Sequence, residues 1–320
     1  MTGVRDVATP AVTDTLKVHN GGASPVMITA LTLMGTGTNK AAFQVMGMPA
    51  LPAMLAAGAD LPVTVQVMTS GSAIGAAPAQ NDGGTVLSAT LTATAGAVSA
   101  SANIFGVLLT SVTHEITLGQ ILTMLGFKLN VGKAMDNANP NTGSSPSTLP
   151  KVEAGTDEIA APLFKKGPAG MPNLRSLARF SPKGPMPYGW YPMGSPNMRN
   201  MVSTMASMSD GQTSDKARMM LPPLMGATTF DPGNATFGIW VYSDQMSGKY
   251  DTGGTPTNGD YDYSEDAPNS PANVHRTKVY PLKDATGTAI PNSYLLAVEE
   301  AGNGDYQDYV FVLENVTPAN

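Results

Sequence analysis

Cysteine is absent from the 320 residues. That excludes a disulfide scaffold, thiol catalysis and any zinc site built on thiolates. Histidine occurs three times, as His19, His114 and His275, far apart and without ligand spacing. A Ser-His-Asp triad or a three-histidine metal site has nothing to build on. Charged residues make up 13% of the chain and aromatic residues 6%. No basic stretch is dense enough for nucleic acid, and the net charge of −6 opposes it. No apolar run reaches the ~18 residues that a spanning helix needs, and Met1–Asp6 lacks the apolar core of a signal peptide.

What is plentiful is Gly (34), Pro (26), Ala, Thr, Val and Ser. This mixture suits short strands between turns better than long helices. Charge is unevenly spread. Residues 1–112 hold four acids and three bases, and residues 113–229 hold seven acids and eleven bases. Residues 230–320 hold thirteen acids against four bases, a net of −9. Such a surplus strains a compact fold by self-repulsion. Its remedies are a bound divalent cation or contact with the basic middle segment.

The pattern predicts an all-β chain of two β-sandwich domains. In residues 1–112, strands are expected at 15–19, 26–33, 43–46, 61–67, 85–93 and 99–107, alternating apolar and polar positions between turns. Thr117-Leu118-Gly119-Gln120 has the form of a capping box before Ile121–Leu125 and Gly126, which predicts a short helix. A strand is expected at Phe127–Val131. Met198, Met201, Val202, Met205 and Met208 fall at helical spacing behind Asn197, which predicts a second helix. Residues 132–227 then read as a helical and loop-rich insertion in a domain over 113–320. Strands return at 237–243, 277–282, 294–299 and 309–314, and 244–275 reads as a long loop.

Candidate sites lie near the C-terminus. Glu299, Glu300, Asp305 and Asp308 surround the turn Gly302-Asn303-Gly304 before an apolar strand. Asp260, Asp262, Glu265 and Asp266 form a second acidic cluster, the aspartates spaced as D-x-D-x-x-x-D. Calcium takes about six to eight oxygens from carboxylates and carbonyls, so both clusters are candidate calcium ligands; the alternative is solvated acid in polar turns. Paired carboxylates also invite a glycosidase reading, but acids in glycine-rich turns stay ionised, and the chain is expected not to be an enzyme. Tyr188, Trp190 and Tyr191 form an aromatic cluster between prolines, read either as a sugar-stacking loop or as an aromatic plug. Nine methionines between Met186 and Met225 suit a buried core or an adaptable interface.

Two resemblances add to this reading. Asn20-Gly21, Phe43-Gln44-Val45 and Leu55-Ala56-Ala57-Gly58-Ala59-Asp60-Leu61-Pro62-Val63-Thr64-Val65 occur in the order seen in ASH/MSP-type immunoglobulin-like domains. This resemblance spans residues 12–110 and implies a domain that packs and presents without catalysing. Phe230-Asp231-Pro232-Gly233, Tyr263-Ser264-Glu265-Asp266, Val279-Tyr280-Pro281-Leu282, Ile290-Pro291-Asn292-Ser293-Tyr294 and Gly304-Asp305-Tyr306-Gln307-Asp308-Tyr309 carry the other. They resemble a calcium-associated C-terminal β-sandwich of large secreted bacterial proteins, here with jelly-roll-like form, short helices and long loops.

Together these imply a calcium-stabilised, non-catalytic structural or adhesive module at a bacterial surface, extracellular although no signal peptide is seen. Its expected partners are other copies of itself or neighbouring surface proteins, with no nucleic acid and no membrane span. The alternatives are a glycan-binding module using residues 188–191 beside the calcium loops, and a jelly-roll shell protein.

Overall fold

The computed structural model describes residues 2–6, 13–35, 42–67, 85–109, 116–133, 153–182, 184–206, 216–242, 261–269, 275–300 and 306–319. They form an all-β protein of several sheets with one helix among the described residues. The chain divides into two compact units, Met1–His114 and Glu115–Asn320.

The first unit contains β1 (Thr2–Asp6), β2 (Thr13–His19), β3 (Val26–Ile28), β4 (Ala30–Gly35) and β5 (Phe43–Met46). It continues with β6 (Ala53–Leu55), β7 (Asp60–Val67), β8 (Thr85–Ala95) and β9 (Val98–Leu109). One sheet has the order β1-β9-β8-β4, the other β2-β7-β5, and β3 pairs with β6. Only β1 runs parallel to its partner, β9; the other pairs are antiparallel. Alternation sets the core. Val63, Val65 and Val67 of β7 meet Leu87, Leu91 and Ile104 of the opposing sheet, in the manner of an immunoglobulin-like sandwich. Pro62 is tolerated inside β7 because β5 reaches only to Thr64, so no neighbour on that side needs an N–H from it. Asn20 is buried, and its amide donates to the carbonyls of Ser24, Leu55 and Ala56 at 2.9–3.1 Å. The Asn-Gly turn thereby clips the end of β2 to β6.

The second unit starts with α1 (Leu118–Leu125). Thr117 and Gln120 form the capping box, and Gly126 closes the helix at φ 76°. Where a strand was expected at 127–131, only the short β10 (Gly132–Lys133) forms, against β11 (Glu153–Ala154). Next come β12 (Phe164–Lys166), β13 (Asn173–Pro182), β14 (Met186–Pro192), β15 (Asn200–Met205), β16 (Lys216–Met220) and β17 (Leu224–Gly226). The rest are β18 (Phe237–Tyr242), β19 (Tyr261–Tyr263), β20 (Thr277–Lys283), β21 (Ala289–Val298), β22 (Tyr309–Glu314) and β23 (Val316–Pro318). A seven-stranded sheet runs β17-β15-β14-β18-β12-β23, with β19 also on β18; a five-stranded sheet runs β16-β13-β22-β21-β20. Both contribute to one core, including Phe164, Leu174, Tyr188, Phe237, Ile239, Leu296, Phe311 and Leu313. That is a sandwich.

Residues 164–226 are therefore not an insertion. They supply strands to both sheets, and β13 pairs with β22 from the far end of the chain. The helix expected at 198–208 is replaced by β15, held between β14 and β17. Met201 is exposed while Met205 is fully buried, so the methionine spacing does not mark one helical face. Pairing on both edges overrides local propensity here.

Close backbone approach explains Gly189, which sits at a register shift between β14 and β15. A Cβ there would overlap the backbone carbonyl of Asn200, which cannot swing aside. Gly184 has nothing near the same position. We expect Gly189→Ala to cost at least about 1–3 kcal/mol of unit stability in urea unfolding, as overpacking does, whereas Gly184→Ala leaves the midpoint nearly unchanged.

Candidate functional site

The densest group of ionisable side chains sits at one end of the five-stranded sheet, where β20 begins, β21 ends and β22 begins. Val298 pairs with Tyr309, so Glu299 and Glu300 leave β21 where Asp308 enters β22. All three carboxylates are buried. The sequence places these acids near one another, and the fold does bring them to one end. Asp305 and Asp260 lie outside the described residues.

One oxygen of each is engaged by the protein. The backbone N–H of Tyr306 donates to Glu299 Oε2 at 3.1 Å. The N–H of Glu300 donates to Asp308 Oδ2, and the Tyr309 hydroxyl donates to Glu300 Oε2. Arg276 Nη1 donates to the carbonyl of Glu300 at 3.3 Å, and its Nε lies 3.8 Å from Asp262 Oδ1. Arg276 and Asp262 are each about 95% removed from solvent, so neither charge has water to fall back on. Arg179 of β13, the largest fully buried side chain, donates to Ser181 Oγ at 2.8 Å, to Ala206 O at 3.0 Å and to Gly184 O. Burial lowers its basicity, while the facing Tyr309 and Glu300 act in the other direction. Burial, reinforced by the Glu300 charge, holds the Tyr309 phenol well above its ordinary pKa. It stays neutral and keeps donating.

On the flank of this group, Lys278 Nζ lies 3.5 Å from Glu158 Oε2 and 4.5 Å above the Tyr306 ring. His275 faces two carboxylates, Glu158 at 3.4 Å and Asp266 at 3.0 Å, and its carbonyl accepts from the Tyr306 hydroxyl at 2.8 Å. Arg276, just before β20, and Lys278 and Tyr280 within it alternate on the face opposite Val279, and all three are buried. The signal for this arrangement is cations at alternate positions of an otherwise apolar strand; the sequence reading, drawn to carboxylates, passed over it. Arg179, Glu158, His275 and Tyr306 were missed too, because their partners come from distant segments.

The second acidic cluster does not converge on a common point. Asp262 faces Arg276, Asp266 faces His275, and Glu265 lies beside Tyr191, whose hydroxyl accepts from the Glu265 N–H at 3.4 Å. Among the described residues no group of three or more His, Asp or Glu side chains is placed to hold a metal ion. Six acidic side chains (Glu158, Asp262, Asp266, Glu299, Glu300, Asp308) nonetheless share this end with three basic ones (Arg179, Arg276, Lys278), so acids outnumber bases.

The aromatic residues of 188–191 belong to β14, not to a loop. Tyr188 is fully buried and packs on Phe311 with centroids 4.9 Å apart. Trp190 stacks on Phe230 at 6.0 Å. Tyr191, also fully buried, points to the other face and meets Tyr263 edge-on at 5.4 Å. Its ring lies over Gly238, where any Cβ would collide with it. Tyr188 and Tyr191 offer no exposed face to a sugar. Burial pushes the Tyr188 hydroxyl up to about 12. These side chains pack within the second unit, on a strand and not in a stacking loop: a strand paired on both edges turns alternate residues into one packed layer and then the other.

No family model matches the chain, and no curated protein matches it. Among solved structures, the secreted serine protease VesC from Vibrio cholerae is 8% identical over 99% of this chain and 49% of its own, with a TM-score of 0.25. This chain thus spans about half of that protein. The YadV chaperone and the CupB2 chaperone of Pseudomonas aeruginosa are each 8% identical over 75% of this chain and 89% of theirs, with TM-scores of 0.25 and 0.26. Likenesses at that level assign neither a family nor an activity.

Two outcomes follow from the geometry. Arg276→Met takes the guanidinium away from the buried Asp262 carboxylate, and is expected to cost about 1–3 kcal/mol in denaturant unfolding; adding Asp262→Asn should recover a substantial part. The second concerns Asp157, which accepts from the Asn130 N–H at 2.8 Å and from Lys283 Nζ at 2.6 Å. Those bonds hold its pKa below the ordinary 3.8, so the stabilisation is present above that value and is lost as pH falls through the lowered folded one. Asp157→Asn should therefore destabilise the protein at neutral pH, with the difference from wild type closing in strong acid. A difference that persists there would contradict the assignment.

Proposed function

We propose that the chain is a non-catalytic structural, adhesive or assembly module of a bacterial surface, with other copies of itself as partners. One observation carries the reading: among the described residues, the buried side chains fit for chemistry at this end of the sheet are engaged by the protein itself. The buried acids meet N–H groups, guanidinium groups and a tyrosine hydroxyl, and the aromatic side chains fill packed layers. A general acid or base needs a proton-accepting atom open to substrate. The placement at a bacterial surface rests on composition and on the resemblances in the sequence. No helix among the described residues is long and apolar enough to cross a membrane.

Assembly is supported by the first unit. Strands β4 (Ala-Leu-Thr-Leu-Met-Gly) and β5 (Phe-Gln-Val-Met) each form one of the two outer edges of their sheets and carry neither charge nor proline. Charge and proline are the usual guards against edge-to-edge pairing, and these edges lack both. Calcium enters the proposal on the charge surplus alone, as the divalent ion that would offset it.

Negative-stain microscopy and light scattering test the assembly. Wild type should form dimers or higher assemblies as concentration rises, and Thr32→Lys, on the exposed side of β4, should shift it to monomer. A wild type that stays monomeric at the highest attainable concentration would overturn the assembly reading. For calcium, millimolar ion should raise the melting temperature of the second unit and chelator should reverse it; no shift, with no heat of binding, removes calcium from the account.

A further inference from the structure

The large apolar side chains left in solvent are chosen with a strong bias. Among the described residues twelve are exposed, and ten of them are methionine; the others are Val98 and Leu221. The first unit has Met27, Met34, Met46, Met48 and Met54, the second Met171, Met193, Met198, Met201 and Met225. Four further methionines, Met124, Met186, Met205 and Met220, are buried. Leucine, isoleucine, valine and phenylalanine fill the cores instead.

A docking face would gather such residues. These are scattered: in the first unit over β3, β4, β5 and β6, which belong to three different sheets, and in the second over turns and strands β15 and β17. Scattering also opposes one soft-metal site. Met27 and Met54 are cross-strand partners on β3 and β6, but no third exposed methionine among the described residues pairs with them, and what the ten thioethers share is chemistry that each performs alone. A chain without cysteine has no thiol to meet an oxidant, and the thioether is then its readiest two-electron reductant. Oxidation makes a side chain polar, which disrupts a core but costs little where the group already faces water.

We propose that the exposed methionines form a sacrificial shell that consumes hypohalous acid before the oxidant reaches the two cores. In each reaction the thioether sulfur takes chlorine from HOCl and hydroxide leaves. Hydroxide oxygen then bonds to sulfur as chloride departs, and the proton is lost. The sum is R₂S + HOCl → R₂SO + H⁺ + Cl⁻, with sulfur oxidised by two electrons and chlorine reduced by two.

The test is stepwise addition of hypochlorous acid to the full chain, followed by peptide mapping and near-ultraviolet circular dichroism. The ten exposed sites should become sulfoxide while the tertiary signal persists, and the four buried sites should react only as that signal is lost. Replacing all ten by glutamine should lower the oxidant dose that removes half the signal several-fold. Should that variant fail to fold, the order of modification in wild type still decides. Buried and exposed sites reacting together in folded protein, loss of the signal as the exposed sites react, or a folded variant as resistant as wild type would each overturn the proposal.

Discussion

Glu300 is the residue on which the second unit's organisation turns. Its backbone N–H is held by Asp308, its carboxylate by Tyr309, its carbonyl by Arg276, and Arg179 of β13 faces it from within the sheet. An ionised side chain is expensive to bury unless its partners are fixed. Asp308 and Tyr309, where β22 begins, supply two of those partners, and Arg276, just before β20, and Arg179 of β13 supply the others. The same contacts fix where the strands stand relative to one another. The end of the sheet is thereby specified by charge, while its middle is specified by Leu296, Phe311 and Leu313.

This division explains why an acidic segment folds without dispersing. Acids that would repel in solvent are interleaved with Arg276 and Lys278 along one strand and with the imidazole of His275 at its start. The pairing is selective at its buried members, since removing Arg276 or Asp262 leaves the other in a poor dielectric with one partner fewer. Such a network favours a single arrangement of strands over competing ones.

Much of the fold was legible where period-2 alternation met turn residues. Phe43–Met46 was read to the residue, the strands at 61–67 and 309–314 were plain, and Thr117 with Gln120 announced α1. Residues 164–226 were opaque for a physical reason. Their strands carry proline, glycine and methionine, whose local preferences oppose sheet, and only long-range pairing such as Ser176 with Phe311 holds them. One expected strand became two for a similar reason: the run Val26–Leu33 breaks at Thr29, where the chain leaves β6 and joins β8. At the site, the acids were visible as a cluster but their partners were not. Arg179 lies more than a hundred residues from Glu300, and no local pattern connects them.

Native-state hydrogen exchange of individual amides tests the claim about Glu300 most directly. If the buried charge network holds this end of the sheet, the amides of Glu300 and Tyr306, both bonded to carboxylates, exchange only through the opening that also releases Val310 and Val312. Exchange of those two amides at rates near the unfolded chain, with Val310 and Val312 still protected, would contradict it.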